Sequence, residues 1–312
     1  MSRIDRLNYL QSMPLDFKIS FTIQRLNDFI CKNEKQVYLS FSGGKDSSVL
    51  KHIVDSNFKG IVSVFCNTGL EYPEVVEFVK SFGNVEIIKP KIAFNKVVEK
   101  HGYPVVSKEQ AQYIEQYRNA KSEKTKEYRL NGDSKGRFKI SEKHKYLLNA
   151  PFKISAKCCD VMKKAPFKEY EKITGKKPIV GTLAEESLLR TQNWLQNGCN
   201  SFNAKRIISK PLSIWTNQNI LEYIYINKLP IAKCYGEVIF DEYSKKYKTT
   251  KCERTGCMFC LFGLKQDPQR FDRLKQTHPK QYKYMCERMG MDKVLRYIQQ
   301  KGESSLFDEL NM

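Results

Sequence analysis

One stretch limits the folds open to this chain more than any other: Val37-Tyr38-Leu39-Ser40-Phe41-Ser42-Gly43-Gly44-Lys45-Asp46-Ser47-Ser48-Val49-Leu50. Val37 to Phe41 is an apolar, β-prone run that ends in Ser-Gly-Gly. From Asp46 onward, Val49, Leu50, Ile53 and Val54 fall on one helical face. A strand, a glycine turn and a helix start together make a cradle for an anion. The glycines let the backbone approach, and the first N–H groups of the helix point at the charge with the positive end of the dipole behind them. Ser42 and Ser47 add hydroxyl groups, and Lys45 adds a positive charge. Asp46 is the odd member, because a carboxylate beside polyphosphate is repelled unless it orients the loop or meets a metal. No Gly-Lys-Ser/Thr ending is present, which argues against the kinase and GTPase type of loop. The plain alternative is a capped helix after a flexible turn, since Ser and Asp are good caps.

The same rhythm continues along the chain. Ile61–Cys66 reads as a second strand ending in Asn67-Thr68-Gly69, and Val75, Phe78, Val79 and Phe82 mark a helix before a third strand at Val85–Ile88. Pro178–Thr182 is a fourth strand with Gly181 near its end, and Leu183–Arg190 a helix start. Ile207–Leu212 is a fifth strand, and Ile214–Asn227 an amphipathic helix carrying Trp215, Ile220, Leu221 and Ile224. This alternation predicts a Rossmann-like α/β fold: a doubly wound parallel sheet with right-handed crossovers and ligands at the carboxyl ends of its strands. The expected organisation is a helical cap over residues 1–35, a nucleotide-binding α/β domain over 36–230, and a Cys-rich segment with a basic helical tail over 231–312. Residues 118–157 interrupt the pattern with twelve Lys/Arg against four Asp/Glu, and with Tyr128, Phe138, Tyr146 and Phe152 interspersed. Such an insertion either grips a nucleic-acid backbone or is a solvated loop or helical hairpin, the slightly favoured reading.

Charge is lopsided over the whole 312 residues: 54 Lys/Arg against 34 Asp/Glu leave a net +20, a field that favours polyanions such as nucleotides, DNA or RNA. No run of eighteen apolar residues and no signal-peptide core is present, so a soluble, cytoplasmic protein with no membrane partner is expected.

Ten cysteines without secretory features argue against a disulfide scaffold. Cys31, Cys66, Cys199, Cys234 and Cys286 are scattered and read as small apolar fillers. The others cluster: Cys158 and Cys159 are adjacent, and Cys252, Cys257 and Cys260 fall close together. The two-residue spacing of Cys257-Met258-Phe259-Cys260 lets two thiolates chelate one metal centre. Lys157, Lys163, Lys164, Lys251 and Arg254 would lower nearby thiol pKa values. A [4Fe-4S] cluster, a structural Zn site and unrelated reduced thiols all remain open, in that order of preference.

With loop and cysteines both read, the chain resembles the PAPS reductase-like branch of the ATP pyrophosphatase (PP-loop) superfamily, whose fold is of the HUP type, over roughly residues 35–263. Ser42–Ser47 is similar to its pyrophosphate loop, Asn67-Thr68-Gly69 with Glu71 and Glu74 to its Asp-Thr-Gly turn, and Gly181 with Glu186, Ser187 and Arg190 to its Gly-x-Arg-x-x-Glu-Ser-x-x-Arg stretch. Pro211-Leu212 and Trp215 are similar to its Arg-x-x-Pro-Leu-x-x-Trp segment. Cys158-Cys159 and Cys257-x-x-Cys260 match the pattern that binds a [4Fe-4S] cluster in the cluster-bearing reductases. The resemblance implies a nucleotide site of Ser40, Ser42, Gly43, Gly44, Lys45, Asp46, Ser47, Asn67, Thr68, Gly69, Gly181 and Glu186. It also implies a cluster held by Cys158, Cys159, Cys257 and Cys260, with Cys252 in place of Cys158 as the alternative.

Departures from the family pattern bear on activity. Family reductases attack a sulfonucleotide (PAPS or APS) with a cysteine in a C-terminal Glu-Cys-Gly-Leu/Ile-His tail, whereas this chain ends Ser304-Ser305-Leu306-Phe307-Asp308-Glu309-Leu310-Asn311-Met312. Its loop, by contrast, keeps the form that ATP-cleaving members use. Asn67 stands where the family has Asp, and Leu183 and Ile208 where it has Arg. Intact loop, cysteines and charge together resemble the sulfur-transferring branch, which includes the DNA phosphorothioation sulfurtransferase. The expectation is therefore ATP with Mg²⁺ as cofactor, Lys45, Asp46 and Arg190 as catalytic groups, and Cys252 as a sulfur-carrying thiol. A DNA or RNA acceptor and a sulfur donor such as a cysteine desulfurase complete that expectation. The alternatives are a PAPS/APS reductase releasing sulfite and a non-enzymatic nucleic-acid-binding module.

Overall fold

The computed structural model describes residues 1–310 apart from Lys205, Lys265 and Gln266, with side chains as far as Lys301. The tail segment 302–310 is therefore described by its backbone alone, and Asn311 and Met312 lie outside the described residues. Six strands form one sheet: β1 (Val37–Ser40), β2 (Ser63–Cys66), β3 (Val85–Ile88), β4 (Lys177–Val180), β5 (Asn200–Ser201) and β6 (Ile208–Ser209). Their order is β3-β2-β1-β4-β6-β5. Neighbours run parallel except β5, which pairs antiparallel with β6. The fold is thus the expected Rossmann-like α/β arrangement. The chain steps from β1 outward to β2 and β3, then returns to the other side of β1 as β4. That reversal opens a crevice at the carboxyl ends of β1 and β4.

Both faces of β1 are buried, as a central parallel strand requires. Val37 and Leu39 join one core with Leu26, Phe29, Val49, Leu50, Ile53, Ile179 and Trp215, while Tyr38 packs with Val64 and Tyr170 in another. Trp215 is fully enclosed and its Nε1–H donates to Thr22 Oγ1 at 2.9 Å. Thr216 caps the following helix, Asn217–Ile226, in a reciprocal box with Asn219. That cap starts the helix three residues later than its apolar pattern alone suggests.

Two compact units divide the chain. One comprises Met1–Asn67, Glu71–Lys89 and Pro166–Thr255; the other comprises Thr68–Leu70, Pro90–Ala165 and Gly256–Met312. One compact unit ends at Thr255. The hairpin of β7 (Val238–Asp241) and β8 (Lys246–Thr249) belongs to the sheet unit. The basic insertion belongs to the helical unit and follows the helical-hairpin side of its reading: the helix Glu123–Asn131 packs against Lys108–Arg118. Arg118 donates to the carbonyls of Phe152 and Ala150, and Phe152 and Tyr146 pack on Tyr297. Those two rings are spent on packing, whereas Tyr128 and Phe138 stay exposed. Among the described residues no helix is long and apolar enough to cross a membrane.

Replacing Trp215 by alanine should cost about 3–5 kcal/mol, the usual range for emptying an aromatic core position. Chemical denaturation of wild type and Trp215→Ala checks this, with a lowered midpoint at unchanged slope as the expected outcome.

Candidate functional site

Ser40 ends β1, and the loop from Ser42 leads directly into the helix Lys45–Asn57. Gly43 adopts a left-handed backbone (φ +69°), and a Cβ there would lie 2.7 Å from Val79 Cγ2 and 2.8 Å from Val75 Cγ1. Only glycine fits this turn. Gly181, after β4, presses on the same element: its Cβ would meet Asp46 O at 3.1 Å and Ser47 Cα at 3.2 Å. Ser47 holds the turn closed, accepting from the Ser42 N–H at 3.2 Å and lying 3.0 Å from Ser42 Oγ. The helix's first-turn amides, which have no partner within the helix, are presented at the sheet crevice.

Lys45 is buried; burial lowers its pKa, and neighbouring Asp46 partly offsets this. Its ammonium donates to Asn217 Oδ1, while the Asn217 amide donates to Glu185. Asp46 is half-buried, but its Oδ1 is enclosed and lacks a hydrogen-bond partner. Burial raises its pKa against the pull of Lys45, Arg254 and Arg190. Arg190 forms an ion pair with Glu186, whose carboxylate also accepts from the Leu183 N–H at 3.1 Å. Glu186 thus acts on the site by positioning Arg190, a guanidinium that faces both Asp46 and Arg254. The Asn67 N–H donates to Ile88 O at 2.9 Å, which ties the end of β2 to β3. Thr68 Oγ1 accepts from the Leu70 N–H at 3.2 Å, and Gly69 turns with φ +74°.

Asn217, Glu185 and Tyr235 escaped the sequence reading as site residues, and Arg254 entered it only as a cation near the thiols. A Cβ on Gly44 would sit 3.4 Å from the Tyr235 hydroxyl, which itself bonds Thr255 Oγ1 at 2.9 Å. Asn217 carried a faint signal as the first residue after a Thr cap. Tyr235 and Arg254 carried none for the loop, because their approach depends on how residues 231–255 fold back.

Cys158, Cys159, Cys257 and Cys260 line one small pocket with Leu70, Phe94, Pro104, Met162, Lys163 and Phe259. Cys158 and Cys159 sulfurs are 3.9 Å apart, at the start of a single π-helical turn, Asp160–Lys164. The hydrogen bond from Cys158 brings the Cys159 thiol down to about 6, aided by Lys108 and Lys163 against the effect of burial. That same bond and burial push the Cys158 thiol up. Arg270 fixes the second pair by donating to Cys257 O at 2.9 Å. The soft-donor set suits iron or zinc. As the side chains stand, however, no three His, Cys, Asp or Glu among the described residues are gathered tightly enough to hold a metal ion. Cys252 does not line this pocket. It lies buried in the sheet unit, and its thiol donates to Cys234 O at 2.9 Å.

Gly43→Ala should lose about 1–2 kcal/mol from the left-handed backbone alone, with the valine clash in addition, and should lose nucleotide binding with it. Thermal unfolding with and without ATP measures both. For Asp46 the sign runs the other way. A carboxyl whose folded pKa is raised costs stability once pH exceeds that value, and the cost vanishes below the unfolded pKa. Asp46→Asn should therefore stabilise the nucleotide-free protein by about 1 kcal/mol at neutral pH while weakening binding of ATP with Mg²⁺.

The model of the phosphoadenosine phosphosulfate reductase domain family matches residues 36–132 and 108–261. An uncharacterized protein of Methanocaldococcus jannaschii is 26% identical over 274 residues, which cover 84% of this chain and 51% of that protein. The chain thus spans about half the length of that relative. A crystal structure of PAPS reductase from Candida auris in a phosphate complex is similar at a TM-score of 0.41 and 14% identity, covering 73% of this chain and 89% of that one. On the extent of the family match, the chain belongs to the phosphoadenosine phosphosulfate reductase domain family.

Proposed function

We propose that this chain is an ATP-cleaving member of its family that activates an acceptor for sulfur transfer. The supporting observation is the loop itself: a glycine turn wedged against Val75 and Val79, closed by Ser42 and Ser47, with buried Lys45 at the head of its helix. Such a cradle suits the β,γ-phosphates of a nucleotide triphosphate. The enclosed, unpaired Asp46 Oδ1 suits an outer-shell contact to hydrated Mg²⁺.

In this reading an acceptor oxygen attacks the α-phosphorus, the bond to the bridging oxygen breaks, and pyrophosphate leaves. Lys45 and the first-turn amides stabilise the charge that develops on the leaving group, and Arg190, held by Glu186, clamps the α-phosphate. The outer sulfur of a donor persulfide then attacks the activated carbon or phosphorus and expels AMP, and a thiol reductant cleaves the resulting disulfide to leave the thiolated acceptor and the donor's free cysteine. The +20 charge favours a nucleic-acid acceptor, and a persulfide enzyme such as a cysteine desulfurase is the fitting class of donor. Cys158, Cys159, Cys257 and Cys260 would hold a [4Fe-4S] centre, which supplies thiophilic, redox-active iron when bound.

The family match accommodates a second reading equally well: reduction of a sulfonucleotide with release of sulfite. Anaerobically purified protein incubated with ATP and candidate DNA or RNA acceptors should yield AMP and pyrophosphate, and Lys45→Ala should slow this about 10²–10³-fold. Sulfite from PAPS or APS with a thiol reductant, and indifference to ATP, would establish the reductase instead. Iron and acid-labile sulfide should accompany the four cysteines and disappear in Cys257→Ser. Zinc alone would exclude the cluster.

A further inference from the structure

A second concavity of the sheet unit, about 360 Å³ in volume, is lined by Arg3, Arg6, Arg25, Asp28, Trp194 and Phe202 among others. Its size falls within the range of small-ligand sites. Asp28 is the single carboxylate in that lining and is already paired with Arg25 at 2.9 Å. Arg3 donates to the Leu195 carbonyl at 2.7 Å. Arg6 makes no ion pair among the described residues.

Two donors of this lining are enclosed without a matching acceptor: Arg25 Nε and Trp194 Nε1. Trp194 Nε1 has the Cys199 sulfur, a weak acceptor, beside it. The guanidinium groups of Arg25 and Arg6 are near enough to that buried sulfur to favour its thiolate, though burial wins and pushes the thiol up to about 11. Arg25 lies over the Phe21 ring at 5.3 Å, and Lys32 over Phe202 at 4.3 Å. The pocket thus offers donors, positive charge and aromatic faces; of its side-chain acceptors, Asp28 is engaged by Arg25 and Asn200 Oδ1 by Ser209, which leaves the amides of Gln196 and Asn197. Arg3 and Arg6 are exposed and Arg25 is half-buried, so solvent screens part of their mutual repulsion, and an anion in the pocket would lower it further.

We propose that this pocket is a second oxyanion site, distinct from the Ser42–Ser47 loop, that takes the phosphate of a phosphate ester. Arg3, Arg6 and Arg25 supply the charge-assisted hydrogen bonds, and the flanking aromatic rings accommodate an attached base or sugar. The helix Leu188–Asn197 joins the two sites. Arg190 faces the loop and Trp194 the pocket, four residues and about 6 Å apart along the axis. A free phosphate, a mononucleotide and one phosphate of a nucleic-acid strand share this chemistry.

The test uses full-length Lys45→Ala, in which the loop is disabled, titrated calorimetrically with inorganic phosphate, CMP (which lacks the adenine of the first site's ligand) and a single-stranded DNA oligonucleotide. At least one should bind saturably, and adding Arg6→Ala should weaken it about tenfold or more, the loss expected for a charged hydrogen bond. Arg6 is exposed on its helix, so this variant keeps the fold; Arg25→Gln provides the second reading. Whichever probe binds tightest names the source. A strand should in addition show a steep salt dependence that Arg6→Ala reduces. Absence of saturable binding by all three, or affinities indifferent to both arginine substitutions, overturns the proposal.

Discussion

The turn at Gly43 exists because no side chain occupies the space between it and the valines of the following helix, Pro73–Lys80. Val75 and Val79 stand where a Cβ would be, so the backbone sits in the crevice with its amides outward. Gly181 repeats the device from the other side, against the backbone of Asp46 and Ser47. Two close approaches therefore fix the first turn of the helix Lys45–Asn57 between β1 and β4, at the sheet's topological switch. Lys45, Asp46 and the serines are aimed by this placement rather than by contacts of their own. Asp46 in particular is held in a position that costs stability without a ligand, a common feature of sites whose geometry serves binding.

The cysteine pocket follows a different logic. Adjacent Cys158 and Cys159 meet the Cys257–Cys260 turn because the chain is anchored on both flanks. Lys157 pairs with Glu115 at 3.1 Å, and Arg270 reaches back to the Cys257 carbonyl. The π-helical turn that begins at Asp160 is the kind of irregularity that recurs at functional sites. Apolar neighbours such as Phe94 and Phe259 keep the sulfurs in a low-dielectric setting, which raises the worth of any thiolate–metal bond.

The parallel core and the loop were legible because each rests on local signals: an apolar run, a glycine pair and a helical stripe within about a dozen residues. β5 was missed because a two-residue strand, Asn200–Ser201, has no periodicity to read. The compact unit that ends at Thr255 has no local signal either. β7 and β8 return residues 231–255 to the sheet through tertiary contacts such as Gln218 to the Tyr247 backbone, and composition records none of these. Cys158, Cys159, Cys257 and Cys260 line one pocket, but as their side chains stand they form no metal-holding group among the described residues. Cys252 entered the reading by its nearness in sequence, whereas its thiol donates to the Cys234 carbonyl in the sheet unit. Tyr235 and Arg254 reach the loop by the same long-range folding, so no spacing rule could have found them.

The central claim is that the Ser42–Ser47 cradle holds the terminal phosphates of a nucleotide. Calorimetric comparison of ATP with Mg²⁺ against AMP on the wild-type chain addresses it most directly, since the two ligands differ only in the β,γ-diphosphate. ATP should bind at least about tenfold more tightly, and the difference should collapse in Lys45→Ala while AMP affinity is unchanged. Equal affinities for ATP and AMP in the wild-type protein would contradict it.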